Sequence, residues 1–259
     1  MVGWASVSEL TLVIVGVVVL VAATTQRATG MGFALVAAPF LVILLGPVVG
    51  VILVNFASII SALAILMRLR SDIEWRRYAW IALPALVGIV PGSLLALALP
   101  TEVLELTIGG LLIVALAIAV WFRRAGAEVV TWAGAPVLAG AISGATNAAA
   151  GIGGPPISIY AALSDWEHRS FVATVQPYFA TIGLASLVTK LAIDPTRWPQ
   201  LDWWVWLVGA VAIVVGLLVG DRIARHISPT VGRRVVLLIA ALGAVSLCVR
   251  AGITLATGY

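Results

Sequence analysis

Residues 25–32 read Thr-Gln-Arg-Ala-Thr-Gly-Met-Gly, and residues 146–153 read Thr-Asn-Ala-Ala-Ala-Gly-Ile-Gly. Thr25, Ala28, Gly30 and Gly32 recur 121 positions further on as Thr146, Ala149, Gly151 and Gly153, and Gln26 recurs conservatively as Asn147. The same offset pairs Asn55 with Gln176 and Gly88 with Gly209. A repeat this long means two copies of one unit, 1–124 and 125–259. In each copy a polar, glycine-rich break interrupts an apolar chain. Matched interruptions in the two halves of a membrane protein point to a transport site.

The surrounding composition makes lipid the solvent. The chain is 62% hydrophobic and 10% charged, where a soluble domain carries roughly 25% charged residues. Apolar runs recur from end to end, as in a polytopic membrane protein, and they leave no room for a soluble catalytic module. The net charge of +4 comes from arginines between apolar runs, which reads as topology and not as nucleic-acid binding. Cys248 is the only cysteine, so an internal disulfide and a multi-cysteine metal site are excluded. The N-terminus carries Glu9 and no basic region. Its first apolar stretch is expected to be a retained span, not a cleaved signal peptide.

Ten apolar segments are predicted as helices, at 8–25, 33–45, 47–68, 76–98, 102–122, 132–150, 155–164, 170–192, 203–222 and 233–255. Eight are long enough to span. The segments at 33–45 and 155–164 are short, and both directly follow a glycine motif; thirteen helical residues cover only about 20 Å of a ~30 Å hydrocarbon core. The expected fold is all-α and polytopic. It has two inverted repeats, each with four full transmembrane helices plus one short helix after a glycine-rich break. Arg68, Arg70, Arg76 and Arg77, then Arg123 and Arg124, then Arg222, Arg225, Arg233 and Arg234 are expected at the cytoplasmic face by the positive-inside rule. With five crossings per repeat the second copy is inverted and both termini are extracytoplasmic. The ten tryptophans fall at or near segment ends, as an interfacial aromatic belt requires.

The chemistry concentrates at the breaks. Gly30 with Gly32, and Gly151 with Gly153 and Gly154, let the backbone leave helical geometry. Such backbone is tolerated at membrane depth only inside protein or beside a water-filled cavity. A helix starting at Phe33, or at Pro155 and Pro156, directs N–H groups and a positive dipole end at an anion. The competing reading is that the glycines allow close helix packing. Arg27 adds a permanent cation beside the first break, or else is a topology charge at the interface. Asn55 and Gln176 either donate to substrate oxygens or tie helices together. Tyr160 and Tyr178 either contribute hydroxyls or anchor at an interface. All eleven acidic residues lie at segment ends or in loops. A cation carrier needs a buried carboxylate, so the substrate is expected to be an anion. His168 and His226 sit in polar turns without a ligand cluster, so no metal or cofactor is expected. No acidic dyad, Ser/His pair or haem histidine pair supports an enzyme.

The stretch Gln-Arg-Ala-Thr-Gly-Met-Gly-Phe-Ala-Leu-Val-Ala-Ala-Pro-Phe-Leu at 26–41 resembles the glycine-rich signature of the TauE/SafE sulfite exporter family. Gly-Ile-Gly-Gly-Pro-Pro-Ile-Ser-Ile-Tyr at 151–160 resembles its repeated counterpart. The resemblance implies a bacterial inner-membrane secondary transporter for sulfur-containing anions such as sulfite or organosulfonates, usually an exporter. By position Gln26, Thr29, Gly30, Gly32, Phe33 and Pro39 match the first signature. Gly151, Gly153, Gly154, Pro155, Pro156 and Tyr160 match the second. Asn55 and Gln176 fall at the polar positions of the following spans. Arg27 departs from the small residue expected there.

The expected function is alternating-access transport of a small sulfur oxyanion. Thr25, Gln26, Arg27, Thr29 and the N–H groups after Gly30 supply one half of the site. Thr146, Asn147 and the N–H groups after Gly151 and Gly153 supply the other, with Asn55, Gln176 and Tyr160 alongside. An anion channel and a permease for a carboxylate remain as alternatives. Partners are the anion and the bilayer, with proton or sodium coupling and a homodimer left open.

Overall fold

The computed structural model describes residues 8–125, 132–226 and 229–257. Among the described residues there are ten α-helices: α1 (Glu9–Thr29), α2 (Phe33–Leu45), α3 (Pro47–Leu69), α4 (Trp75–Ala98), α5 (Thr101–Ala125), α6 (Ala135–Ala150), α7 (Gly154–Leu163), α8 (His168–Ile193), α9 (Trp203–Ala224) and α10 (Pro229–Thr257). Seven are long and apolar enough to cross a membrane. The eighth expected span, 132–150, is a correction. Its helix α6 has 16 residues and reaches about 24 Å at ~1.5 Å per residue, because Trp132 to Gly134 form a turn before it.

Local chemistry sets the ends. Ser8 caps α1 by accepting the Thr11 N–H at 3.2 Å, and Gly30 ends it in the left-handed region at φ 81°. Glu167 caps α8, its carboxylate accepting from the N–H groups of Arg169 and Ser170 at 2.8 and 2.6 Å. Those bonds hold its carboxyl below the usual range. Thr25, Gln26, Arg27, Thr29, Thr146 and Asn147, expected inside the breaks, are helical instead. The breaks proper are residues 30–32 and 151–153.

The helices pack in a pattern that largely survives exchange of the first five for the second five. α1 lies on α9 as α6 lies on α4, and α2 lies on α10 as α7 lies on α5. α3 packs on α8, and α5 on α10. The correspondence is uneven: α2 runs along α3, whereas the ten-residue α7 makes no comparable contact with α8, and α4 packs far more extensively on α8 than α9 does on α3. The closest approach is α4 against α6. A Cβ at Gly88 or Gly92 would stand 2.0 or 2.3 Å from the carbonyl oxygens of Ala141 or Ala145. One at Gly140 or Gly144 would stand 2.2 or 2.0 Å from those of Ile81 or Ala85. In the other half, Gly216 and Gly220 of α9 meet the carbonyls of Leu20 and Thr24.

Leu20 and Thr24 correspond to Ala141 and Ala145 at the 121 offset, so Gly216 and Gly220 are the counterparts of Gly88 and Gly92. This corrects the pairing of Gly88 with Gly209, whose Cβ would meet nothing within 4 Å. The offset grows to 128 because α8 ends three residues later than α3 does at the earlier offset. The connection after it, 194–202, is also four residues longer than 70–74.

Charged contacts mark two opposite ends. At one, Arg68 donates to Asp221 at 2.5 Å, Arg169 pairs with Asp72 at 2.9 Å, and Arg77 pairs with Glu74 at 3.0 Å. Trp166 donates to Glu74 at 2.9 Å under the Arg77 guanidinium. At the other end, Arg250 donates to Glu105 at 3.0 Å and also to the Ile43 carbonyl. Between these ends the outward faces are apolar; Leu83, Val87, Leu238 and Leu242 are each more than 60% exposed. Such a surface needs lipid around it.

Candidate functional site

Two buried polar clusters lie on either side of the middle of α3. The first joins α1, α3 and α8. Ser61 donates to Gln26 Oε1 at 2.7 Å, and Gln26 Nε2 approaches Gln176 Oε1 at 3.5 Å. Gln176 Nε2 donates to the carbonyls of Gly30 at 3.1 Å and Val172 at 2.8 Å. The second cluster joins α6, α3 and α8. Asn147 Nδ2 donates to Asn55 Oδ1 at 2.9 Å and lies 3.4 Å from the Ile182 carbonyl, while Asn55 Nδ2 donates to the Val51 carbonyl at 3.1 Å. Gln26, Asn55, Ser61, Asn147 and Gln176 are all buried.

The pairing is crosswise. Gln26 and Asn147 lie 121 positions apart, and so do Asn55 and Gln176; each residue on the helix that leads into a break bonds the amide of the other half. Even Ser61 and Ile182, the third partners, are 121 positions apart. Asn55 and Ser61 are six residues apart on one helix, so the clusters are separated by about 9 Å along it.

The breaks themselves are held by their neighbours. Gly30 and Gly151 adopt φ 81° and 75°, conformations that cost an L-residue about 1–2 kcal/mol. The Gly30 carbonyl, left without a helical partner, takes the Gln176 amide, so Gln176 spends its hydrogens on backbone. Ser143 donates to the Gly153 carbonyl and accepts from Tyr178 at 2.7 Å. The Cβ positions of Gly32 and Gly154 meet only ordinary or slightly tight neighbours, Val236 at 3.3 Å and Phe179 at 3.9 Å.

Other expected site residues fall elsewhere. Thr25, Thr29 and Thr146 donate to carbonyls within their own helices or turns, to Ala22 at 2.8 Å, Thr25 at 2.8 Å and Ile142 at 2.9 Å. Thr25 and Thr29 also line an apolar groove of about 320 Å³ between α1, α9 and α10. Tyr160 stands at the far end of α7, edge-on to Trp166 at 5.9 Å. Arg27 pairs with Asp221, the carboxylate that also takes Arg68.

Three residues were not singled out in the sequence. Ser61 and Ser143 carry no signal beyond lying in apolar helices. Lys190 did carry one: it is the only lysine in the chain and stands inside an apolar stretch. It is 0% exposed, and its Nζ donates to the Ala148 carbonyl and to Ser186 Oγ at 3.2 Å. Among the described residues no group of three or more His, Cys, Asp or Glu gathers to hold a metal.

Long apolar helices, two glycine breaks at corresponding points and buried polar clusters beside them define a multi-pass α-helical membrane protein. The chain belongs to the TauE/SafE sulfite exporter family: the model described as "Sulfite exporter TauE/SafE" matches residues 15–247. That is a family of membrane transport proteins. Searches of curated proteins and of solved structures return no match.

Proposed function

We propose that the protein is a secondary transporter that exports a small sulfur oxyanion, sulfite or an organosulfonate, by alternating access. The observation that carries this is the crosswise amide pairing. Gln26 with Gln176 and Asn147 with Asn55 are two latches, each formed between halves, about 9 Å apart along α3. An anion between them gains amide hydrogens when one latch opens, while the other still closes the path. A carrier needs such an arrangement; a channel needs both open together.

The halves are read as inverted repeats in the bacterial inner membrane. The Arg68, Arg77 and Arg169 end is then cytoplasmic and both termini are extracytoplasmic. The N–H groups following Gly30, Gly151 and Gly153 face the substrate between the latches. Pro155 and Pro156 remove two donors from the second helix start, so the second half relies more on Asn147. Arg27 sits at the cytoplasmic approach, where the Asp221 carboxylate occupies its guanidinium. An arriving anion competes with that carboxylate, and the guanidinium fork suits two oxyanion oxygens.

The test is flux into proteoliposomes containing the purified protein alone. Sulfite flux that saturates and is accelerated by sulfite on the opposite side supports the carrier. Flux that stays linear with concentration and shows no trans-acceleration supports an anion channel. Flux of a carboxylate in preference to sulfite moves the substrate outside the sulfur anions.

A further inference from the structure

At the cytoplasmic approach two cations, Arg27 of α1 and Arg68 of α3, share the carboxylate of Asp221 on α9. Exchange of the halves carries this group to the other side of the molecule. Arg27 maps to Ala148 at the 121 offset, and Arg68 falls one position from the counterpart of Lys190. Asp221, next to Gly220, maps to Ser93, next to Gly92. The second group therefore keeps one cation and lacks the carboxylate.

The structure is consistent with that correspondence. Lys190 does reach the α6 position that Arg27 has on α1, donating to the Ala148 carbonyl. It is fully buried and, among the described residues, has only that carbonyl and Ser186 Oγ as hydrogen-bond acceptors. Ser93 is also 0% exposed, and its hydroxyl has no hydrogen-bond partner among the described residues. A buried ammonium is costly unless an anion offsets it, and a buried hydroxyl is seldom left unpaired.

We propose that Lys190 and Ser93 form an anion site near the second break, in which the transported oxyanion takes the place that the Asp221 carboxylate takes in the first half. This rests on the exporter reading and adds to it the charge on the extracytoplasmic side. The anion would meet Arg27 at one end of its path and Lys190 at the other. Ser93 supplies a hydroxyl donor, and the Ala148 carbonyl, one of those freed by the break, orients the ammonium.

The experiment uses the full-length protein in detergent with sulfite as the probe, reading thermal unfolding with and without it. Lys190→Met is expected to weaken sulfite binding at least about tenfold, the loss of one charge-assisted bond, while the empty protein unfolds at the same or a higher temperature. Ser93→Asp places a carboxylate where the anion binds. It is expected to weaken sulfite binding as much, to fold, and to depend on Lys190, so that Ser93→Asp with Lys190→Met is far less stable than either alone. Sulfite binding unchanged in Lys190→Met, a Lys190→Met protein that is less stable when empty, or a Ser93→Asp protein that does not fold overturns the proposal. So does additivity of the two substitutions in the empty protein. If the unsubstituted protein binds no sulfite, the exporter reading falls and the site with it. Binding kept in every variant removes only the site.

Discussion

Gly30→Ala tests whether the first break is a built feature. Gly30 sits at φ 81°, and an L-residue in the left-handed region costs about 1–2 kcal/mol. The added Cβ would stand 2.5 Å from Val172 Cγ2, 3.0 Å from Cγ1 and 3.3 Å from Cβ. Val172 is β-branched and stiff at χ1 in a helix, so it cannot swing aside, and overpacking of this kind costs about 1–3 kcal/mol. The substitution is therefore expected to destabilise by roughly 2–5 kcal/mol. The assay is unfolding of the purified protein in detergent mixtures of rising sodium dodecyl sulfate. Two comparisons separate the causes. Gly110→Ala lies in α5 with nothing within 4 Å of its Cβ and is expected to gain about 0.5–1 kcal/mol from helix propensity. Val172→Ala combined with Gly30→Ala removes the clash and leaves the backbone cost, so the pair is expected to be less than additive. A Gly30→Ala protein as stable as Gly110→Ala would show that neither the left-handed backbone nor Val172 constrains position 30.

Gly144→Ala should disrupt the α4–α6 contact, where the new Cβ would be 2.0 Å from the Ala85 carbonyl. Gly209→Ala, with nothing within 4 Å, should be neutral or stabilising in the same unfolding assay. Arg27→Ala is expected to weaken sulfite binding roughly ten- to a hundredfold, one charge-assisted bond. Arg27→Lys should lose less, and the exposed Arg225→Ala nothing, all read by calorimetry. Reporter fusions at residue 259 are expected to be extracytoplasmic and fusions in the 70–74 connection cytoplasmic; a cytoplasmic C-terminus would contradict inversion.

Helix positions were legible because hydrophobic runs and glycine breaks are local signals. α2 matches its expected 33–45 bounds, and the other helices fall within four residues of theirs. The 121 offset holds through α3 and α8, where Gln26 meets Gln176 and Asn147 meets Asn55. It failed at Gly88, because the extra residues after α3's counterpart shift α9 without leaving a trace in the glycine motifs. Side-chain roles were less legible. The sequence places Gln26 near a break but not opposite Gln176, since that neighbour comes from another helix 150 positions away. Thr25, Thr29 and Thr146 looked like substrate donors, yet hydroxyls in helices bond the carbonyl three or four residues back. Arg27 paired with Asp221 because α9 ends beside α1, a tertiary fact with no local signature. Lys190 was visible as a lone lysine, but its acceptor Ala148 was not.

If the two amide pairs are alternate latches on one path, holding either one shut stops transport. The most direct measurement is exchange flux of sulfite in proteoliposomes after cross-linking paired cysteines, in a protein whose own Cys248 has been replaced by serine. One variant carries cysteines at positions 26 and 176, the other at 55 and 147. Either cross-link alone is expected to stop exchange, and reduction is expected to restore it. Exchange that continues at the uncross-linked rate in either variant once its link is closed would show that the amide pairs do not gate the path.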